Sequence, residues 1–165
     1  MNYSKALNEC IESAYMVAGH FGARYLESWH LLIAMSNHSY SVAGATLNDY
    51  PYEMDRLEEV ALELTETDYS QDETFTELPF SHRLQVLFDE AEYVASVVHA
   101  KVLGTEHVLY AILHDGNALA TRILERAGFS YEDKKDQVKI AALRRNLEER
   151  AGWTLSLIHI SEPTR

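Results

Sequence analysis

Residues 81–127 echo residues 4–50 at a constant offset of 77, without a gap. Ser4 answers to Ser81, Leu7 to Leu84, Ala14 to Ala91, His30 to His107, Leu32 to Leu109, Ala34 to Ala111, Ala43 to Ala120 and Leu47 to Leu124. About one position in four is identical over that span. The matches are mostly small or apolar and fall where one side of a helix would face inward, so biased composition does not explain them. A repeat of this length constrains architecture before any local reading does. The chain reads as a tandem duplication.

Helical spacing runs through both copies. Ser4 caps a first helix whose apolar side is Leu7, Ile11, Ala14, Val17, Ala18 and Phe21, ending near Gly19. Glu27 or Ser28 opens a second, with Leu31, Leu32, Ala34 and Met35 inward. A short third over 41–48 turns Val42, Ala43 and Leu47 inward, and Pro51 precedes a fourth carrying Met54, Leu57, Val60, Ala61 and Leu64. Ser81 restarts the pattern with Leu84, Leu87, Phe88, Ala91, Val94, Ala95 and Val98. In the stretch 103–113, LGTEHVLYAIL, Gly104 permits an irregular backbone, Thr105 offers a capping hydroxyl, and Val108, Leu109, Ile112 and Leu113 make an apolar face. A turn at Asp115-Gly116-Asn117 leads to a short helix of Leu119, Ala120, Ile123 and Leu124 that ends at Gly128. Ser130 with Asp133 resembles a capping box before a last helix reaching about Arg150. No strand of any length emerges. The expectation is an all-α fold of eight helices, as two tandem pseudo-symmetric four-helix repeats over 3–64 and 80–150.

Two stretches lie outside the repeats. Residues 65–79, TETDYSQDETFTELP, hold five acidic residues and no basic one, and read as an acidic linker. Residues 154–165, TLSLIHISEPTR, have no counterpart in the repeat and read as a cloning scar or read-through tail, set aside from the fold.

Charge and composition narrow the function classes. A formal net charge of −12 argues against nucleic acid and anionic membrane as partners, since both call for a basic footprint. Lys134, Lys135, Lys139, Arg144, Arg145 and Arg150 gather near the end of the second repeat and read as a solvated helix face. Cys10 is the only cysteine, so no intrachain disulfide forms, and its apolar neighbours make it a small core residue. No run approaches the roughly 18 apolar residues of a membrane span, and the N-terminus has no signal-peptide pattern. A cytoplasmic protein is expected.

The phrase GTEHVLYAIL, some 25 residues after FSHRLQVLFDEAEYVA, resembles the N-terminal domain of Clp-type chaperone ATPases, and within them the ClpC-like subgroup. That domain is built from two such repeats, and the resemblance spans about residues 3–150. It implies a non-enzymatic domain that docks substrates and adaptor proteins for a protein-unfolding chaperone of a proteolytic system, with Clp ATPase modules as partners in cis. A stand-alone regulator competing for Clp adaptors is the alternative. No cofactor is implied.

The resemblance also implies sites where the first helix of a repeat meets the second, with phosphoarginine as the candidate ligand. Its phosphate suits hydroxyl and free N–H groups at a helix N-terminus, and its guanidinium needs a carboxylate. By position Ser81 corresponds to the phosphate-side hydroxyl residue, usually Thr in the family, and Glu106 to the guanidinium acceptor. Phe80 and Thr105 flank them as partner-binding residues. In the first repeat Ser4 is kept, but Trp29 stands at the glutamate position, and an indole holds a cation only through its face. One site is therefore expected to be intact and its twin degenerate.

Catalysis and metal binding find no footing in these residues. There is no G-x-x-x-x-G-K-[ST], G-x-S-x-G or HExxH, and a lone cysteine denies a Cys-rich zinc site. His30 and His107 each follow a helix start, and both are expected to be half-buried and bonded to a backbone carbonyl.

Overall fold

The computed structural model describes residues 1–49, 54–66, 77–115, 118–129 and 136–153. Among them are eight α-helices: α1 (Lys5–His20), α2 (Ser28–Ser36), α3 (Val42–Leu47), α4 (Met54–Thr65), α5 (His82–Val97), α6 (Thr105–His114), α7 (Leu119–Leu124) and α8 (Asp136–Ala151). The starts of α5, α6 and α7 lie 77 residues after those of α1, α2 and α3. The repeat period is thus a structural period.

Local chemistry is duplicated with it. Ser4 Oγ accepts from Leu7 N and Ser81 Oγ from Leu84 N, each at 3.1 Å, so both first helices begin on a serine N-cap. Each first helix leaves through a left-handed residue, Gly22 at φ +64° and His99 at φ +62°, again 77 apart. The second helices are buried almost all round, and not on one face as the spacing of their apolar residues implied. Every residue from Trp29 to Ser36 in α2 is buried, as is every α6 residue from His107 to Leu113. Helices apolar on all sides belong at the centre of a domain. The Ser36 hydroxyl, buried with α2, donates back to the Ile33 carbonyl at 2.6 Å.

Around that centre the two halves interlock. α1 packs on α2 and α5 on α6, but α3 packs on α8 and α6, and α4 packs on α7 and on the turn that follows it. One continuous apolar cluster runs through both halves, from Leu7 and Leu32 to Leu109 and Leu147. Gly44 marks a close approach between α3 and the turn before it, where a Cβ would collide with the His38 carbonyl oxygen.

Several local expectations are refined. The chain does not stop at Gly128 after α7 but runs on as a π-helical turn, Glu125–Phe129. Among the described residues there is no strand, but two isolated parallel bridges join Tyr3 to Leu103 and Leu26 to Phe80. Cys10 is fully buried beside Leu7 and Ala14, and burial pushes its thiol up to about 12, where it is inert. In the basic cluster, Arg150 pairs with Asp49 across the halves, so it is not merely solvated. The Gly116-Asn117 turn, the Ser130–Asp133 cap, most of the acidic linker, Pro51, Lys134, Lys135, the side chains of Met54 and Lys139, and the tail lie outside the described residues.

Candidate ligand-docking clefts

The two bridges decide which residues can share a site. Ser4 N donates to the Leu103 carbonyl at 2.8 Å, and Leu103 N to the Asn2 carbonyl at 2.8 Å. In the other half Leu26 N donates to the Pro79 carbonyl at 2.9 Å, and Ser81 N to the Leu26 carbonyl at 3.0 Å. Each serine N-cap is therefore strapped to the start of the second helix of the opposite repeat. Sequence reasoning put Ser81 with Glu106 and Ser4 with Trp29. The fold joins them crosswise, Ser4 to the Glu106 turn and Ser81 to the Trp29 turn. An offset of 77 tells which residues are equivalent, but it is silent about which are adjacent.

Both second helices begin with the same device. Gly104 N donates to His107 Nδ1 at 2.8 Å, and Glu27 N to His30 Nδ1 at 2.9 Å. Each imidazole thus accepts from the backbone amide of its own N-cap, where bonding to a carbonyl was expected. Both are also buried outright, not halfway. With Nδ1 as acceptor, the proton of the neutral ring sits on Nε2. Burial drives His30 down to about 3. Burial also lowers His107, against an opposing pull from the Glu106 carboxylate, and its ring stacks on Trp153 at 5.5 Å.

What differs is where each half carries its carboxylate. Gly104 has φ −110° and ψ 175°, extended backbone open to any residue, so its role is space and not an irregular conformation. A Cβ there would collide with Glu106 Oε1 and come within 2.8 Å of Glu106 Cδ. The Glu106 carboxylate lies folded back over Gly104, the residue that follows Leu103 of the Ser4 strap. In the first half the glycine position is Glu27 and the glutamate position is Trp29. The acid stands two residues earlier, on the N-cap itself, and an indole stands at the glutamate position. Trp29 is only 9% exposed and meets Phe21 edge-on at 4.7 Å.

A cleft of about 390 Å³ opens between the start of α2 and the start of α5, its lining beginning one residue past Ser81. Glu27, Ser28 and Trp29 line one wall and His82, Arg83 and Leu84 the other, and Val86, Glu90, Asp115 and Leu119 extend it toward α6 and α7. Ser81 Oγ accepts from its own helix, which leaves its O–H available to donate outward. The α5 N-terminus attracts anions, and Glu27 accepts from cations. Glu27, His82 and Arg83 were missed from sequence. The signal that could have found Glu27 was its position opposite Gly104 in the repeat.

Thr105 and Phe80 play inward parts. Thr105 is 2% exposed, and it is Gly104, not Thr105, that caps α6. The Thr105 hydroxyl accepts instead from Ala43 N at 3.2 Å, capping α3 of the other half. Phe80 stacks at a tilt on Phe88, 5.0 Å away, and its carbonyl accepts from Gln85 Nε2 at 3.1 Å. Among the described residues no group of three metal-ligating side chains converges, and no helix is long and apolar enough to cross a membrane.

The chain matches the Clp repeat (R) N-terminal domain family over residues 2–150. No curated protein matches it significantly. Among solved structures it is similar to the N-terminal domain of the chaperone ClpD from Arabidopsis thaliana, with a TM-score of 0.68 at 16% identity over 92% of this chain and 95% of that one. The Hsp104 N-terminal domain from Candida albicans gives 0.68 at 17%, over 93% and 94%. The ClpV N-domain, solved in complex with a VipB peptide, gives 0.60 at 17%, over 88% of each.

Proposed function

The chain belongs to the Clp repeat N-terminal domain family, and from that premise we propose that it is the substrate- and adaptor-docking domain of a ClpC-like chaperone ATPase in the cytoplasm, recognising arginine-phosphorylated protein segments. The observation that carries this reading is the crosswise pairing. Each half offers a serine-capped helix start, and each is strapped against a helix start that bears a carboxylate, Glu106 in one case and Glu27 in the other. A ligand with a phosphate at one end and a guanidinium at the other suits both poles at once. The peptide held by the related ClpV N-domain supports peptide docking as the mode of use. The bound segment would then be handed to ATPase modules in cis.

Because Glu27 supplies an acid where Trp29 cannot, the first-half helix start is a working site in this reading. A phosphoarginine peptide titrated calorimetrically into the chain binds two sites, and the unphosphorylated peptide binds far more weakly. Glu106→Ala weakens one site by roughly ten- to a hundredfold, the value of a charge-assisted hydrogen bond. Equal affinity for phosphorylated and plain peptides, with helicity intact, overturns the proposal.

A further inference from the structure

A second cleft, of about 580 Å³, runs between α5 and α6 and adjoins the first, with Val86, Glu90 and Asp115 lining both. Its floor is Val94, Tyr110 and Ala111, and its rim carries Val86 and Tyr93, which are 43% and 49% exposed. These rim residues stand seven apart on α5, about 10 Å along the helix axis. Between them the same face carries Asp89 and Glu90, with Asp115 across the cleft. The described lining residues include one histidine, His114, and no lysine or arginine. The Arg83 guanidinium is engaged with Asp115 at 3.3 Å.

Two apolar side chains two helical turns apart, with two carboxylates between them and no lysine or arginine among the described lining residues, define a complement: apolar groups flanking a cation. We propose that the α5–α6 cleft docks a short segment of a partner protein that presents a lysine or arginine beside apolar side chains. Burial, and then the neighbouring Asp115, hold the Glu90 carboxyl above its ordinary range, so an incoming cation relieves a strain already present. Val86 and Tyr93 give such a segment apolar area that a free cation could not use. The inference does not rest on phosphoarginine recognition, because the complementary segment carries no phosphate.

The test is a titration of the whole chain with a short acetylated, amidated leucine–arginine helical peptide, followed by amide NMR shifts. Leucine–glutamine and leucine–glutamate peptides serve as controls. Shifts should concentrate on Val86, Glu90, Tyr93 and Ala111, and both controls should bind at least tenfold more weakly. Asp89→Asn with Glu90→Gln should weaken the leucine–arginine peptide by about tenfold or more. Glu59→Gln with Glu63→Gln removes the same charge from α4, which contributes no residue to the cleft lining, and should change affinity by less than about twofold. Shifts spread over other acidic faces overturn the proposal, as does an equal loss in the α4 variant or no loss in the α5 variant. So does self-association of the free chain through Val86 and Tyr93, which would make the occupant a second copy.

Discussion

Thr105 accepts a hydrogen bond from the amide of Ala43, 62 residues earlier and in the opposite repeat. Ala43 sits in the first turn of α3, where amides have no partner within the helix, and Ser41 Oγ already serves Gly44 N at 3.0 Å. Thr105→Val keeps the shape and removes the acceptor, leaving a buried N–H unmatched. Stability should fall by about 1–2 kcal/mol, and Thr105→Ser should recover most of it. Thermal denaturation reads this as a drop of roughly 2–4 °C for each kcal/mol in a chain of this size.

The left-handed pair Gly22 and His99 offers a gain in place of a loss. A non-glycine residue at positive φ is disfavoured by about 1–2 kcal/mol through its Cβ, and His99 accepts that cost on an exposed turn where its repeat partner is glycine. His99→Gly should stabilise the chain by up to about 1 kcal/mol, since glycine's greater freedom when unfolded offsets part of the relief. Urea unfolding gives the sign. A loss of stability would mean that the imidazole makes a contact worth more than the strain.

Periodicity made the helices legible because each copy of the repeat must bury a face, and those faces recur at 3.6-residue spacing from Leu7 to Leu147. The serine caps were legible for the same reason, since a cap needs only its own helix. The strap between Ser4 and Leu103, the Thr105–Ala43 bond and the α3–α8 packing were not. They join residues far apart in sequence through backbone atoms or a single hydroxyl, and such bonds leave no pattern of side-chain type. The carboxylate at Glu27 was hidden by a different cause. Position-by-position transfer looks for an acid opposite Glu106, and the first repeat moved it by two residues.

His30 makes the chain acid-sensitive. Its value is near 3 when folded, well under the ordinary 6.5, because burial penalises the imidazolium. The unfolded ring therefore takes up a proton as pH falls through about 6.5 while the folded ring does not. The His30 contribution is fully present above that pH and erodes by about 1.4 kcal/mol per unit from there down toward the folded value. His30→Asn keeps an acceptor near the Nδ1 position for Glu27 N and cannot titrate. Between pH 7 and pH 4, urea midpoints should fall more steeply for the native chain than for His30→Asn. Parallel slopes would assign the acid loss to carboxylates alone.

The crosswise strap carries a prediction for the proposed site: Glu106 should share a bound phosphoarginine peptide with Ser4 and not with Ser81. The Ser4 amide bonds to the Leu103 carbonyl, and the Glu106 carboxylate folds over the next residue, Gly104, whereas the Ser81 amide is committed to Leu26. Groups that touch one ligand couple in a double-mutant cycle, commonly by about 0.5–3 kcal/mol, and independent sites add within roughly 0.5 kcal/mol. Ser4→Ala combined with Glu106→Gln should therefore be non-additive in phosphoarginine peptide affinity, and Ser81→Ala with Glu106→Gln should be additive. Gly104→Ala is a third arm. Its methyl takes the place of the carboxylate, so it should mimic Glu106→Gln in binding while leaving the extended backbone at that position undisturbed. Coupling of Glu106 with Ser81 in place of Ser4 would return the site to its sequence-expected pairing and show that the strap does not organise recognition.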